Sequence, residues 1–329
     1  MKKAFLFLVS LLLGVGLFIW VGKIVGWGEI KNAFLAFTGW QGIVILSLTV
    51  LMALVGTWKW REILRGEEVK ISFKSLLNPY LAGFAIMFLA PVLLLGGEIF
   101  RGYLLKEKNS VPWSKGMASV IIDRILEWTA NLAVVFFGAL FFFYKIGLPP
   151  KNLGIILGIV LFIFTVLISS FYFKIFKQER MAKSILQILG LKNLNHTNSI
   201  LDIEKEIFNF FKPKNLILWK ALSLSFLRAA FMYFRTWLLI IFLGKSLGAM
   251  PALSILGFTY LAAMIPIPTA LGSHEAIQTF AFNSLGLGLS AATAFTMIIR
   301  GAELIIAFCG VMILFRLGIS FLKNNLLKE

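Results

Sequence analysis

Residues 76–105 read LLNPYLAGFAIMFLAPVLLLGGEIFRGYLL, and residues 252–283 read ALSILGFTYLAAMIPIPTALGSHEAIQTFAFN. Both stretches are apolar enough to lie in a bilayer, but proline and glycine, which interrupt helices, break each of them in the middle. A glutamate follows each break, Glu98 in the first stretch and Glu275 in the second. We interpret each stretch as a re-entrant hairpin, which enters and leaves the membrane on the same side.

The composition indicates a membrane protein. Of the 329 residues, 59% are hydrophobic, against about 45–50% in soluble chains, and the mean hydropathy is +0.90. The net charge is nevertheless +17. Nucleic-acid-binding proteins place their cations on an exposed face, whereas here they lie between apolar runs. We therefore expect no nucleic-acid partner, and we expect the cations to report membrane topology.

Six further apolar runs are long enough to cross a hydrocarbon core, which takes about 20 helical residues. They lie near residues 4–25, 40–58, 117–143, 153–173, 216–243 and 289–315. The sequence therefore predicts an all-α integral membrane protein, a single polytopic domain over residues 1–329. It would contain about six full transmembrane helices plus the two re-entrant broken-helix hairpins.

Lysine and arginine are distributed unevenly between the two sides of this topology. Twenty-two fall in one set of loops and the termini, and five in the opposite set: Lys23, Lys31, Lys145, Lys151 and Lys245. The positive-inside rule then predicts that both termini are cytoplasmic. On the same side, residues 174–215 place apolar residues at helical spacing between charges, which predicts a cytoplasmic loop with two amphipathic helices on the membrane surface.

The two hairpins share a longer pattern. Each has Pro-x6-Glu at the break and then Arg-x-x-Glu in the next span. The matching residues are Pro91, Glu98, Arg124 and Glu127 in the first half and Pro268, Glu275, Arg300 and Glu303 in the second. The pattern predicts an inverted repeat with units at about 40–143 and 216–315. Inverted repeats with broken helices are typical of a transporter's binding site at the bilayer midplane.

Ionisable side chains in these segments are costly, at about 2.5–3.5 kcal/mol each on insertion scales, and are candidates for a functional site. The candidate polar-cavity and substrate-binding residues are Glu98, Arg101, Asp123, Arg124, Glu127, Arg228, Arg235, His274, Glu275, Arg300 and Glu303. Arg228 and Arg235 share a helix face that has no acid, so their partners must come from elsewhere. Two interpretations are open: the charges neutralise one another and pin the hairpins, or they line a cavity for a lipid headgroup.

The sequence has no H-E-x-x-H, P-loop or G-x-G-x-x-G motif. The run Gly272-Ser273-His274-Glu275 is contiguous, whereas a catalytic triad needs side chains that converge from separate elements. We therefore expect no catalytic residue, no metal site and no cofactor, and we expect that the protein is not an enzyme.

Three motifs together resemble a known family. They are Gly97-Glu98-x-x-Arg101-x-Tyr103-Leu104, Ser119-Val120-Ile121-Ile122-Asp123-Arg124 and Ile267-Pro268-x-x-Leu271-Gly272-x-x-Glu275. With them, residues 5–320 resemble the lysylphosphatidylglycerol synthase transmembrane-region family, the flippase-like domain of the multiple peptide resistance factor, without the synthase domain. The resemblance implies a plasma-membrane protein that moves a lipid between leaflets, either an anionic phospholipid or a polyprenyl-phosphate-linked lipid. The alternative is a non-catalytic membrane subunit that presents a lipid to a partner glycosyltransferase or aminoacyltransferase.

The charge asymmetry generates a topology prediction. In a Cys309-free background, single cysteines next to Lys70, Lys108 and Lys192 should all be shielded from an impermeant thiol reagent in intact cells, because all three loops lie on the cation-rich side. Labelling is measured before and after permeabilisation. Labelling of the Lys108 position from outside would contradict the first re-entrant hairpin.

Overall fold

The computed structural model describes residues 39–89, 96–147, 151–177, 197–212, 214–246, 248–264 and 273–326. Within these ranges every regular element is an α-helix. In chain order they are α1 (Gly39–Gly66), α2 (Phe73–Leu89), α3 (Gly96–Asn109), α4 (Trp113–Ile146), α5 (Lys151–Phe176), α6 (Thr197–Phe210), α7 (Leu216–Phe242), α8 (Ala249–Met264), α9 (Ser273–Ser284) and α10 (Leu289–Leu326).

Short polar side chains and a glycine define several helix ends. The Ser72 hydroxyl accepts a hydrogen bond from the Ser75 N–H at 3.3 Å before α2, and the Asn215 side chain accepts one from the Ile217 N–H at 3.0 Å before α7. Both are N-caps, which satisfy amide groups that the first helical turn leaves free. Gly147 follows α4 with φ +89°, a conformation that favours glycine.

Four helices are long and apolar enough to cross a membrane in the part of the chain described: α1, α4, α7 and the Leu289–Arg316 part of α10. The predicted span at 153–173 lies in α5, whose 26 residues extend about 39 Å. The predicted span at 4–25 lies outside the described residues. The prediction of an all-α membrane protein is confirmed.

Each interrupted stretch forms two neighbouring antiparallel helices. In the first, Gly97 near the start of α3 lies against Gly83 of α2, and Arg101 further along α3 lies against Gly83 and Tyr80. In the second, Gln278 of α9 donates to the Thr259 hydroxyl of α8 at 2.6 Å. The chain therefore reverses direction in both stretches. Pro91 and the segment 265–272 lie outside the described residues, and Gly96 and Gly97 are the first residues of α3 rather than part of the break.

Each hairpin packs against a long helix from the other half of the chain. Helix α2 packs on α10, and α8 packs on α4. A Cβ on Gly310 of α10 would lie 2.2 Å from the Leu81 carbonyl oxygen, and one on Gly138 of α4 would lie 2.7 Å from that of Leu253. These contacts need glycine, because small residues let membrane helices approach closely. The inverted repeat itself stays a prediction.

Helix α6 is the described part of the predicted amphipathic loop. Its apolar side, with Ile207 and Phe210, and Phe211 directly after it are buried against Ile63 of α1 and Leu218 of α7. The bundle therefore covers this side, in place of the membrane surface that we expected. The other predicted amphipathic helix falls within residues 178–196, outside the described residues.

The segment that connects α1 to α2, beside α6, contains a buried carboxyl group outside the spans. Glu67, directly after α1, is 4% exposed, and its main-chain oxygen accepts a hydrogen bond from Lys115 at 2.8 Å. Burial and the nearby carboxylate of Glu206 on α6 raise the pKa of Glu67 to about 8. The folded protein therefore holds a proton here that the unfolded chain releases near pH 4.5, the ordinary value.

Because the folded state binds the extra proton, stability contributed by Glu67 should be present below pH 4.5 and should be lost as the pH rises towards 8. Glu67→Gln should flatten this part of the stability profile. The thermal midpoint in detergent from pH 4.5 to 8.5 measures it, with Glu68→Gln, an exposed neighbour, as the control. A Glu67→Gln profile as steep as that of the wild type would contradict the assignment.

Candidate functional site

Asp123 of α4 lies at the centre of a buried charge network. Lys59 Nζ of α1 is 2.8 Å from one carboxylate oxygen, and Arg101 NH1 of α3 donates to the other at 2.9 Å. The side chains of all three residues are at most 3% exposed. One carboxylate thus neutralises cations from two other helices and joins α1, α3 and α4 at one point.

Arg101 is also held by aromatic rings. Its guanidinium carbon lies 4.0 Å from the ring centroid of Trp60 and 4.9 Å from that of Tyr80, within the range of cation–π attraction. The Trp60 indole N–H donates to the Ser119 hydroxyl at 3.1 Å, which fixes the ring. These contacts orient Arg101 between α1, α2 and α4.

A second chain of ion pairs runs through Glu127, one turn after Asp123. Arg124 donates to Glu98 of α3 through Nε and to Glu127 through NH1, the latter at 3.2 Å. Arg228 of α7 donates to the other oxygen of Glu127. Lys59 Nζ is 3.9 Å from Glu127 and so connects the two chains of pairs.

The network has a sealed side and a more accessible side. The side chains of Lys59, Glu98, Arg101 and Asp123 are 1–4% exposed, whereas those of Arg124, Glu127 and Arg228 are 15–19% exposed. Four cations face three carboxylates within these described residues, which leaves one excess positive charge. On the accessible side, two arginines from different helices flank a single glutamate.

Several polar atoms of the network have no hydrogen-bond partner in the described part of the chain. They are Glu98 Oε2, Arg101 Nε, Arg101 NH2, Arg228 Nε and Asp123 Oδ1, the last of which is ion-paired with Lys59. A buried donor without a partner costs roughly 1–3 kcal/mol. Of these atoms, Arg228 Nε is on the more accessible side, and the others belong to side chains that are at most 4% exposed.

The other five predicted site residues belong to α7, α9 and α10. Arg235 of α7, 1% exposed, donates to Glu303 of α10 at 2.9 Å and to the Thr49 hydroxyl at 3.2 Å. Arg300 is one turn before Glu303 and is partly buried. His274 and Glu275 are the second and third residues of α9; His274 is partly buried, and the Glu275 side chain lies outside the described features.

The structure unites six of the eleven predicted residues, namely Glu98, Arg101, Asp123, Arg124, Glu127 and Arg228. Arg228 and Arg235 pair with acids on other helices, as we expected because their own helix face has no acid. Glu98 and Arg101 share a helix turn but bind Arg124 and Asp123 respectively.

Sequence reasoning missed Lys59, which it placed in a cytoplasmic loop after a span ending at residue 58. Helix α1 continues to Gly66, and Lys59 points inward. The sequence feature that could have indicated its burial is its position between Trp58 and Trp60, with further apolar residues at Ile63 and Leu64.

The fold and the site define a multi-pass α-helical membrane protein with a buried network of paired charges. The model of the family described as the lysylphosphatidylglycerol synthase TM region matches residues 7–310. The chain belongs to this family, which confirms the resemblance that the motifs predicted.

Three relatives are UPF0104 membrane proteins from two organisms. The chain is 26% identical to the UPF0104 membrane protein PH1989 of Pyrococcus horikoshii, over 91% of this chain and 92% of the relative. It is 25% identical to the UPF0104 membrane protein MJ1595 of Methanocaldococcus jannaschii, over 78% and 79%. It is also 25% identical to MJ1078 of the same organism, over 71% and 93%.

The central position of Asp123 generates a stability prediction. Asp123→Asn would leave Lys59 and Arg101 without their shared carboxylate, and breaking a buried pair costs about 3–5 kcal/mol. We expect a clear loss of monodisperse protein and a lower thermal midpoint. Adding Lys59→Met restores a single excess cation and should recover part of that loss. Size-exclusion chromatography of heated detergent extracts measures both.

Asp202→Asn, on the exposed side of α6, is the matched control and should behave like the wild type. Equal midpoints for Asp123→Asn and Asp202→Asn would show that the network does not hold the bundle together.

Proposed function

We propose that this protein moves an anionic lipid between the two leaflets, and that the lipid headgroup binds on the Arg124–Glu127–Arg228 side of the network. The observation that supports this proposal is the excess positive charge, which coincides with the more accessible side. A lipid phosphate fits such a site, because phosphate pairs favourably with two guanidinium groups.

The headgroup would share the two arginines with Glu127. Glu127 has contacts with Arg124, Arg228 and Lys59, so it keeps a cation when an anion takes one of them. The acyl or prenyl chains would stay in the surrounding lipid, and the protein would shield only the headgroup. An anionic phospholipid and a polyprenyl-phosphate-linked lipid both meet these requirements.

Binding would also act on the first hairpin. Arg124 connects Glu98, in the first turn of α3, to α4. An anion that competes for Arg124 weakens this link, and Glu98 then remains near the positive N-terminal end of α3. The hairpin would thereby move relative to α4 as the headgroup passes, as alternating access requires.

The proposal includes the location and orientation of the protein. It would lie in the plasma membrane with both termini in the cytoplasm, as the distribution of lysine and arginine predicts. Lipid alone would then be the substrate, without a cofactor.

Leaflet exchange in liposomes tests the function. The protein is reconstituted with fluorescent phosphatidylglycerol, phosphatidylcholine or a polyprenyl phosphate, and dithionite quenching measures the rate of exchange between leaflets. The protein should accelerate exchange of the anionic lipids. Arg228→Gln should reduce that rate roughly tenfold, which corresponds to about 1.4 kcal/mol. The variant should fold, because Glu127 keeps Arg124 at 3.2 Å. Lys106→Gln, an exposed site on α3 with the same loss of charge, is the control.

Equal rates for Arg228→Gln and Lys106→Gln would contradict a headgroup site at Glu127. If no lipid of the panel is exchanged while a glycosyltransferase or aminoacyltransferase binds the protein, the transport proposal fails. The alternative, a non-catalytic subunit that presents lipid to a partner transferase, then replaces it.

A further inference from the structure

We propose a second lipid site, at the end of α1 and the start of α7, where Arg61, Arg65 and Lys220 bind the phosphate of an anionic membrane lipid before it reaches the network. Its role in access to the network rests on the proposed function, whereas binding at this site does not.

A single carboxylate organises this site. Glu62, 3% exposed, accepts hydrogen bonds from Arg65 NH1 at 2.9 Å and from the Trp58 indole N–H at 3.2 Å. Lys220 Nζ of α7 lies 3.1 Å from its other oxygen. The acid is buried, while the side chains of Arg65 and Lys220 are 42% and 48% exposed. The cations therefore face outward and keep donors free for a ligand.

Arg61 adds a third positive charge to this site. It lies one turn before Arg65, on the same side of α1. Its guanidinium makes no hydrogen bond or ion pair with any residue that the structure describes, and its Nε is buried without a partner. Three cations and one carboxylate leave an excess of two positive charges, which is more than enough to neutralise the single negative charge of a lipid phosphodiester.

The surroundings favour a lipid over a soluble anion. Trp58, Trp219 and Leu216 are large apolar side chains with 42%, 53% and 82% of their surface exposed. Tryptophan beside lysine and arginine at the ends of spans marks the headgroup level of a bilayer. An exposed apolar surface here lies against acyl chains, so a bound phosphate would belong to a lipid.

The site continues into the network along α7. Lys220, Arg228 and Arg235 follow one another at intervals of eight and seven residues, a rise of about 12 Å and about 10 Å on broadly one side of the helix. Each is paired with a carboxylate from a different helix: Glu62 of α1, Glu127 of α4 and Glu303 of α10. A headgroup at Lys220 would thus be about two turns from Arg228.

Lipid retention tests this site. The protein is exchanged into detergent with equimolar phosphatidylglycerol and phosphatidylcholine, and native mass spectrometry counts the bound lipids. The wild type should retain phosphatidylglycerol preferentially, and Arg61→Gln/Arg65→Gln/Lys220→Gln should lower that preference roughly tenfold. Lys74→Gln/Lys106→Gln/Lys108→Gln removes the same charge from exposed positions and should retain the preference. Arg61→Gln alone breaks no described contact and should lower the preference severalfold in a protein that folds normally.

Unchanged preference in Arg61→Gln and in the triple variant would overturn the site, as would equal retention of the two lipids by the wild type. Displacement of the bound lipid by millimolar inorganic phosphate would assign the site to a soluble anion and overturn the lipid assignment. Arg228→Gln should retain lipid here even though it slows leaflet exchange, which separates the two proposals. Loss of retention in the triple variant with an unchanged exchange rate would overturn the role in access.

Discussion

The carboxylate of Asp123 can remain ionised in the interior of the helix bundle only because Lys59 and Arg101 reach it from two other helices. Uncompensated charge is expensive in a medium of low dielectric constant, so such groups must find partners. Here the partners lie on different helices, and satisfying the charges fixes the helices relative to one another. Glu127 extends the same constraint to α7 through Arg228.

We propose that the network serves both of the roles that the sequence left open. On the sealed side, Asp123 with its two cations is fully enclosed, which suits a purely structural role. On the accessible side, Arg124, Glu127 and Arg228 are each partly exposed, and the cations outnumber the acid. Pinning the hairpin and accepting a headgroup are therefore compatible, because the Asp123–Arg101 pair would still hold α3 when a headgroup competes with Glu98 for Arg124.

The sequence predicted the fold class and four of the spans well, because apolar runs of about 20 residues have few alternatives. The sequence predicted only part of the ion pairing. The spacing of Arg228 and Arg235 on a face without acids required external partners, and the structure supplies Glu127 and Glu303. Glu98 and Arg101 lie three residues apart on α3, yet each pairs with α4, because a helical neighbour at i+3 competes with carboxylates and guanidinium groups on other helices. Local spacing does not decide between such partners. Lys59 was missed because hydropathy alone ends a span at the first lysine, whereas a buried partner lets the helix continue.

We propose that a lipid phosphate binds on the accessible side of the network, inside the membrane. A cryo-EM reconstruction in nanodiscs of phosphatidylglycerol would show the position of such a headgroup. We expect headgroup density with phosphate oxygens within about 4 Å of the Arg124 and Arg228 guanidinium groups. Phosphate density confined to the two bilayer surfaces, with Arg124 and Arg228 closed off by apolar side chains, would contradict it.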